Sequence, residues 1–211
     1  MKILDISQRT SLWHAWRAKG ITASESAVIL GRSPYKTPLQ LFNERIGFIK
    51  PEDPATKPCV RRGIAFEDHV RQGFEERHHT ILLPLCVEST EHQVLRCSLD
   101  GLSDAGEPVE LKVPTQSTYK QLIAQGEQAT AYQLAWMQLQ HQLYVTEARQ
   151  GWLVFDPWLS GLEPLEFCVQ RYDAFLCNEL IPACLAFWEQ LQAGQMPEPA
   201  SEPTTATSFY F

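Results

Sequence analysis

The sequence predicts an α/β (α+β) fold in which one central mixed β-sheet is flanked by helices. Three observations point there. Residues 81–88, 92–99 and 107–113 are strand-like runs in close succession, the pattern of a meander. Helix-period segments precede them, and two more strand-like runs, 150–156 and 163–170, follow a long helical segment. With 211 residues, 44% of them hydrophobic and 20% charged, the chain can bury a full core as one domain.

The elements follow in order. Residues 11–18 read as a helix. Ser24 opens a short helix at 24–30, which Gly31 closes, and 37–46 is a third helix stopped by Gly47. A proline-rich loop, 49–61, leads into a longer helix, 61–78, with apolar Ile64, Phe66, Val70 and Phe74. After the meander come a helix at 116–125 and an amphipathic helix at 129–145. The strands 150–156 and 163–170 and a final helix at 172–193 complete the chain. Residues 1–195 are expected to form a single domain. Residues 196–211, rich in Pro, Ser and Thr, are expected to be a surface or flexible tail.

The net charge of −7 argues against a generally basic DNA coat protein. The distribution says more. Residues 1–80 hold 13 Lys and Arg against 9 acidic residues, whereas 81–211 hold 5 against 16. Such a division suits a phosphate-tracking groove on an acidic body, and equally an ordinary uneven surface. No apolar run is long enough to span a bilayer and the N-terminus lacks a signal-peptide pattern, so a cytoplasmic protein with no membrane partner is expected. The six cysteines form no CxxC pair and are expected to be reduced.

The segment CSLDGLSDAGEPVELKVPT, 97–115, carries the chemistry. Asp100 is expected to end a strand at an Asp-Gly turn. Glu110 and Lys112, two apart on the next strand, project to one face. Two carboxylates and an ammonium group then converge, which fits phosphodiester hydrolysis with a hard cation. Asp100, Glu110 and the carbonyl of Leu111 supply oxygens of the kind magnesium prefers, and one metal or a pair would activate water. Lys112 would orient that water or stabilise charge on the phosphorane. If it must be neutral to take a proton, activity should rise at alkaline pH. Taken alone, the pattern also fits a solvated hairpin with a surface ion pair.

Three further features favour the site. Glu67 lies on the helix before the sheet, where Gly63 is expected to permit close approach. Gln138 and Gln142 share a face of the helix 131–145, suited to phosphate and sugar contacts or, alternatively, to a solvated polar face opposite Leu134, Leu139 and Leu143. Arg17 precedes ITASES, and Ser24 at a helix N-terminus beside an arginine fork would form an anion site; an N-cap with a surface arginine is the alternative.

In this order the motifs resemble the phage lambda exonuclease, or YqaJ-type alkaline exonuclease, family of the PD-(D/E)xK nucleases. The matching pieces are Arg17 with ITASES, Gly63-x-x-x-Glu67, CSLDG, GEPVELK and Gln138 with Gln140 in WMQLQHQLYVT. Leu99 replaces the proline of the family name. The resemblance implies a restriction-endonuclease-like core. It makes Asp100, Glu110, Leu111 and Glu67 magnesium ligands, with manganese a substitute, and Lys112 the catalytic lysine. Arg17, Ser24, Ser98 and Gln138 would hold a 5′ phosphate. It further implies a homotrimeric 5′→3′ exonuclease acting on double-stranded DNA ends together with a single-strand annealing protein. A basic ring lining within an acidic wall would account for the charge division. A junction or single-strand nuclease of the same superfamily and a non-catalytic DNA-binding module are the competing functions.

Trp13 and Trp16 lie near Arg17 and can stack on bases or pack in the core; with Gln140 they complete the candidate DNA contacts. His78 and His79 read as exposed or capping residues and His141 as a polar-face residue. Trp136, Trp152, Phe155 and Trp158 read as core or interface.

Overall fold

The computed structural model describes residues 1–51, 56–158 and 161–197. The chain opens with strand β1 (Lys2–Leu4), helix α1 (Ser11–Arg17), the short strand β2 (Ile21–Thr22), a single turn at Ala23–Glu25, α2 (Ser26–Ile29), α3 (Pro38–Arg45) and the long α4 (Pro58–His78). The meander β3 (Leu83–Glu88), β4 (Leu95–Leu102) and β5 (Pro108–Lys112) follows. Next come α5 (Gln116–Gln125), α6 (Thr130–Thr146), β6 (Gln150–Phe155), β7 (Leu165–Gln170), α7 (Asp173–Phe175) and α8 (Ile181–Ala193).

Seven strands form one mixed sheet in the order β1-β3-β4-β5-β6-β7, with β2 beside the start of β4. The β3, β4 and β5 neighbours are antiparallel, as the short turns require, whereas β5 and β6 are parallel. A parallel pair needs a crossover, and α5 with α6 supplies it. One sheet face packs on α6, where Leu139 and Leu143 meet Cys97, Leu99 and Leu153. The other packs on α4, where Val70 and Phe74 meet Val109, Leu111 and Val154. Residues alternate along β5, so Val109 and Leu111 enter the α4 core while Glu110 and Lys112 turn to α6. Gly151 on β6 leaves room for this layer: a Cβ there would lie 2.7 Å from the Pro108 carbonyl and 3.1 Å from Leu139. Gly151→Ala should therefore cost about 1–3 kcal/mol in a urea titration, because backbone cannot yield as a side chain does.

The expected architecture is present, with several corrections. β4 does not end at Asp100; it runs on to Leu102, and the turn is at Ser103–Gly106, where Gly106 takes φ +78°. Gly101 serves packing instead, since a Cβ there would meet Leu82 at 2.8 Å. Gly63 faces open space and permits no close approach. α6 is not amphipathic: Gln140, His141 and Gln142 are fully buried, because the helix is covered on both sides, by the sheet and by α2 with the C-terminal helices. The final helix is interrupted by a wide turn at Leu176–Leu180 before α8, where Pro182 lacks the N–H needed to continue the α-helical ladder. His78 is not free: it pairs with Glu166 at 2.6 Å and stacks on Phe74. Among the described residues no helix is long and apolar enough to cross a membrane. Cys86, Cys97, Cys168, Cys177 and Cys184 are free thiols. Of the tail, residues 198–211 lie outside the described residues, as do 52–55 of the proline-rich loop.

Candidate active site

The site sits where the sheet forks. β5 pairs with β4 only at Gly101↔Val109 and Leu102↔Pro108, then leaves it to follow β6. Beyond the fork the ladder is replaced by side chains. The Asp100 Oδ2 accepts the Leu111 N–H at 2.9 Å, and Gln8 donates to the Leu99 carbonyl at 2.8 Å. Asp100 is thereby fixed beside β5 although it belongs to β4.

Glu110, 2% exposed, faces α6. Its Oε2 accepts from Gln142 Nε2 at 2.5 Å, and its Oε1 accepts from the Lys112 ammonium at 2.5 Å. Lys112 also donates to Gln138 Oε1 at 3.2 Å. The two α6 amides thus hold the acid and the base of β5 in register, one helical turn apart. Burial and the adjacent Glu110 raise the Asp100 carboxyl well above the ordinary carboxylate range, and Lys112 offsets this only in part. For Lys112 burial acts downward, but Glu110 and Asp100 outweigh it and hold the ammonium above its usual value. The cluster is short of positive charge, which a hard cation would supply.

Glu67 approaches from α4 and is tied on both oxygens: Arg71 donates to Oε1 at 2.9 Å and Arg9 to Oε2. Arg71 further donates to the Asp100 carbonyl at 3.0 Å, joining the helix carboxylate to the fork. Among the described residues no three Asp, Glu, His or Cys side chains form a closed metal cage. The donor set that fits a cation is the pair Asp100 and Glu110 with neighbouring backbone oxygen; Glu67 joins it only by exchanging Arg9. The buried Gln142 Oε1, which has no protein partner, is a further oxygen beside Glu110.

A second network lies along β4. Trp13 Nε1 donates to Ser98 Oγ at 2.7 Å, the Arg17 guanidinium stands 4.6 Å over the Trp13 ring, and Arg17 donates to Thr22 Oγ1 at 3.1 Å and Ser24 Oγ at 3.0 Å. Arg17, Ser24 and Ser98 are therefore gathered into one network, whereas Gln138 is held by Lys112. Burial lowers the Arg17 pKa, and the nearby Glu25 carboxylate, which bonds to Thr22 and Arg45 rather than to Arg17, offsets this only in part. A partly buried guanidinium bordered by hydroxyls has the donors that an external anion would need. Ser24, expected to open a helix, lies one residue inside the turn Ala23–Glu25 that leads directly into α2. That turn is capped by Thr22, whose N–H donates to Glu25 at 2.8 Å, and the Ser24 hydroxyl accepts from Arg17.

Two candidate DNA contacts are withdrawn into the fold. Gln140 is fully buried, donating to the Gln170 carbonyl at 2.8 Å and accepting from Tyr172 N–H at 2.8 Å, which locks α6 to the chain after β7. Trp16 is 7% exposed and donates to Glu88 at 2.8 Å. Trp13 packs between His14 and Arg17. His141 is buried against Ser26 Oγ at 3.1 Å and takes no part in the site. Sequence reading missed Arg9 and Arg71, whose roles depend on contacts across 29 to 58 residues. The i, i+4 spacing of Glu67 and Arg71 was the one local signal for them.

A model of the YqaJ-like viral recombinase domain matches residues 12–149. Protein YqaJ of Bacillus subtilis (strain 168) is 25% identical over 188 residues, 88% of this chain, and the chain spans 57% of that protein's length. Among solved structures, the alkaline exonuclease LHK-Exo of Laribacter hongkongensis superposes with a TM-score of 0.73 at 21% identity, over 88% of this chain and 94% of that one. Its complex with dAMP gives 0.72 at 22% over the same shares. A phage-related exonuclease of Haemophilus somnus 129PT gives 0.56 at 10%, over 83% and 96%. At these identities the structural likeness concerns the fold. The family model takes in well over half of the sequence, and both candidate networks except Gln8 and Arg9 lie inside the match; this chain belongs to the YqaJ-like viral recombinase domain family.

Proposed function

We propose that the protein is a magnesium-dependent 5′→3′ exonuclease that digests the 5′-ended strand of linear duplex DNA, leaving a 3′ single strand for recombination by annealing. The observation that carries this reading is the convergence of Asp100, Glu110 and Lys112 at the sheet fork, with the Arg17–Ser24–Ser98 anion network along the same strand. Two of the proteins that share the fold, LHK-Exo and the Haemophilus somnus protein, are exonucleases, which supports the same direction. Asp100, Glu110 and the Leu111 carbonyl would hold a magnesium ion, with Glu67 a further carboxylate once it exchanges Arg9; when bound, the cation, or manganese in its place, would polarise the phosphate and lower the pKa of water. Lys112, kept cationic by its neighbours, stabilises the charge that builds on the phosphorane oxygens and orients the attacking water. Gln142 holds Glu110 and Gln138 steadies Lys112, so both functional groups are positioned before DNA arrives. Arg17, Ser24 and Ser98 take the terminal 5′ phosphate; Gln138, which the resemblance sets beside them, reaches it from its place on Lys112. A homotrimer and a single-strand annealing partner in the cytoplasm complete the reading.

Linear duplex with and without a 5′ phosphate tests it. In magnesium, the phosphorylated end should be digested faster. Arg17→Ala should lower that preference by about 10-fold or more, the worth of a charge-assisted hydrogen bond. Preference for phosphorylated ends that survives Arg17→Ala would refute the phosphate pocket. Equal digestion of both ends by the wild type would favour a junction or single-strand nuclease instead.

A further inference from the structure

The chain leaves β6 through a backbone outlier. Trp158 has φ +47°, a left-handed conformation rare for a bulky residue. Its N–H donates to Asp156 Oδ1 at 2.7 Å, and Arg62 of α4 donates to the Pro157 carbonyl, so the segment is pinned from both sides. The indole then lies parallel on His69, 4.9 Å away with 13° between planes, and tilted over Phe66 at 6.0 Å. The Arg62 guanidinium stands 5.4 Å from the Phe66 ring. Despite this stack Trp158 is 43% exposed, and His69 is exposed beside it. Burial of a tryptophan therefore does not account for the strained backbone. Strain of this kind persists where the surroundings over-determine it, and it gathers at ligand-binding positions.

The stack also has a defined place. Asp156 N–H donates to the Lys112 carbonyl at 2.9 Å, so the segment carrying Trp158 starts against the catalytic strand. Phe66 is the neighbour of Glu67, and the stripe Arg62, Phe66, His69 on α4 runs beside the stripe that carries Glu67 and Val70. An exposed indole backed by two rings, with a guanidinium beneath them, is suited to a flat π-faced ligand and indifferent to its hydrogen-bonding edge.

We infer that Trp158, backed by His69 and Phe66, is a stacking platform for an unpaired nucleobase next to the Asp100–Glu110–Lys112 cluster. The identification of the ligand as DNA rests on the nuclease reading above. Recognition is through the face of the base, so the platform accepts all four bases.

Fluorescence anisotropy tests this with an end-labelled, 5′-phosphorylated duplex carrying a single-stranded extension, in calcium in place of magnesium. Trp158→Ala should weaken binding by about 5- to 100-fold, the range one base–aromatic stack supplies. Trp158→Phe should restore most of it. Replacing the bases of the extension by abasic sites should weaken the wild type and abolish its advantage over Trp158→Ala. Trp158→Gly, which relieves the positive φ, is the second truncation should the alanine variant fold poorly. Equal binding by wild type and either truncation, or a loss of the same size on intact and abasic DNA, overturns the platform. Hydrolysis in magnesium is scored separately. Digestion without a Trp158 effect removes the platform alone, and a base-dependent Trp158 effect without digestion removes the nuclease reading alone.

Discussion

Asp100→Ala and Lys112→Ala should each lower the rate of duplex digestion in magnesium by at least about 100-fold, the loss expected when one preorganised transition-state stabiliser is removed. The two variants should differ in everything else. Asp100 is the carboxyl that burial and Glu110 drive toward its protonated form. Wild-type protein should therefore gain thermal stability on addition of magnesium or manganese, by about 2.7 kcal/mol at a concentration 100 times the dissociation constant. Asp100→Asn, which still offers an oxygen to the Leu111 N–H, should melt no lower than wild type without metal and should lose most of the metal-induced rise. Lys112→Ala should keep that rise, because it removes a charge stabiliser and not an oxygen ligand. Near-wild-type digestion by Asp100→Ala, or a metal-induced rise unchanged in Asp100→Asn, would refute the assignment of this cluster.

Acid sensitivity should come from a residue outside the site. Burial in α6 lowers the His141 pKa from the usual 6.5 to about 3. Between these values the unfolded chain holds the additional proton, so stability falls as pH falls. The slope is about 1.4 kcal/mol per pH unit, or roughly 2 kcal/mol from pH 6.5 to 5. Asp100 works in the opposite sense. Its folded carboxyl is raised, so protonation on acidification favours the folded state. The His141 contribution is therefore read as a difference between two proteins. His141→Gln, which can keep a bond to Ser26 and does not titrate, should show a pH profile flatter by that amount in urea titrations at pH 6.5 and 5. Parallel profiles for the two proteins would show that His141 accepts a proton without unfolding.

The chemistry-bearing strands were legible because their information is local. Glu110 and Lys112 are two residues apart, and a strand of period two must place them on one face; the short turn before them returns the chain to the strand of Asp100. The mixed sheet was legible for the same reason, from closely spaced runs followed by a crossover helix. The faces of α6 were not. Gln140 and Gln142 read as candidate DNA contacts and His141 as a polar-face residue, because polarity in a sequence does not reveal whether a buried partner is waiting. Here the Gln170 carbonyl, Ser26 and Glu110 each supply one. The Asp-Gly pair read as a turn because those residues favour turns, yet β4 continues through it and Gly101 makes room for Leu82.

The amino-acid order by itself determined the inventory of the protein: which strands exist, that two carboxylates and an ammonium group share a short hairpin, and that an arginine–serine pair precedes them. Only the tertiary structure decided how those groups are used. The fork between β4 and β5 lets the Asp100 side chain replace a ladder bond, α6 aligns Glu110 and Lys112 through two amides, and Arg9 and Arg71 restrain Glu67. The physical reason is range. Propensity and periodicity act within a few residues, whereas charge, burial and hydrogen-bond satisfaction are set by neighbours that the fold brings together, 26 and 32 positions away for the two amides of α6 and 58 for Arg9.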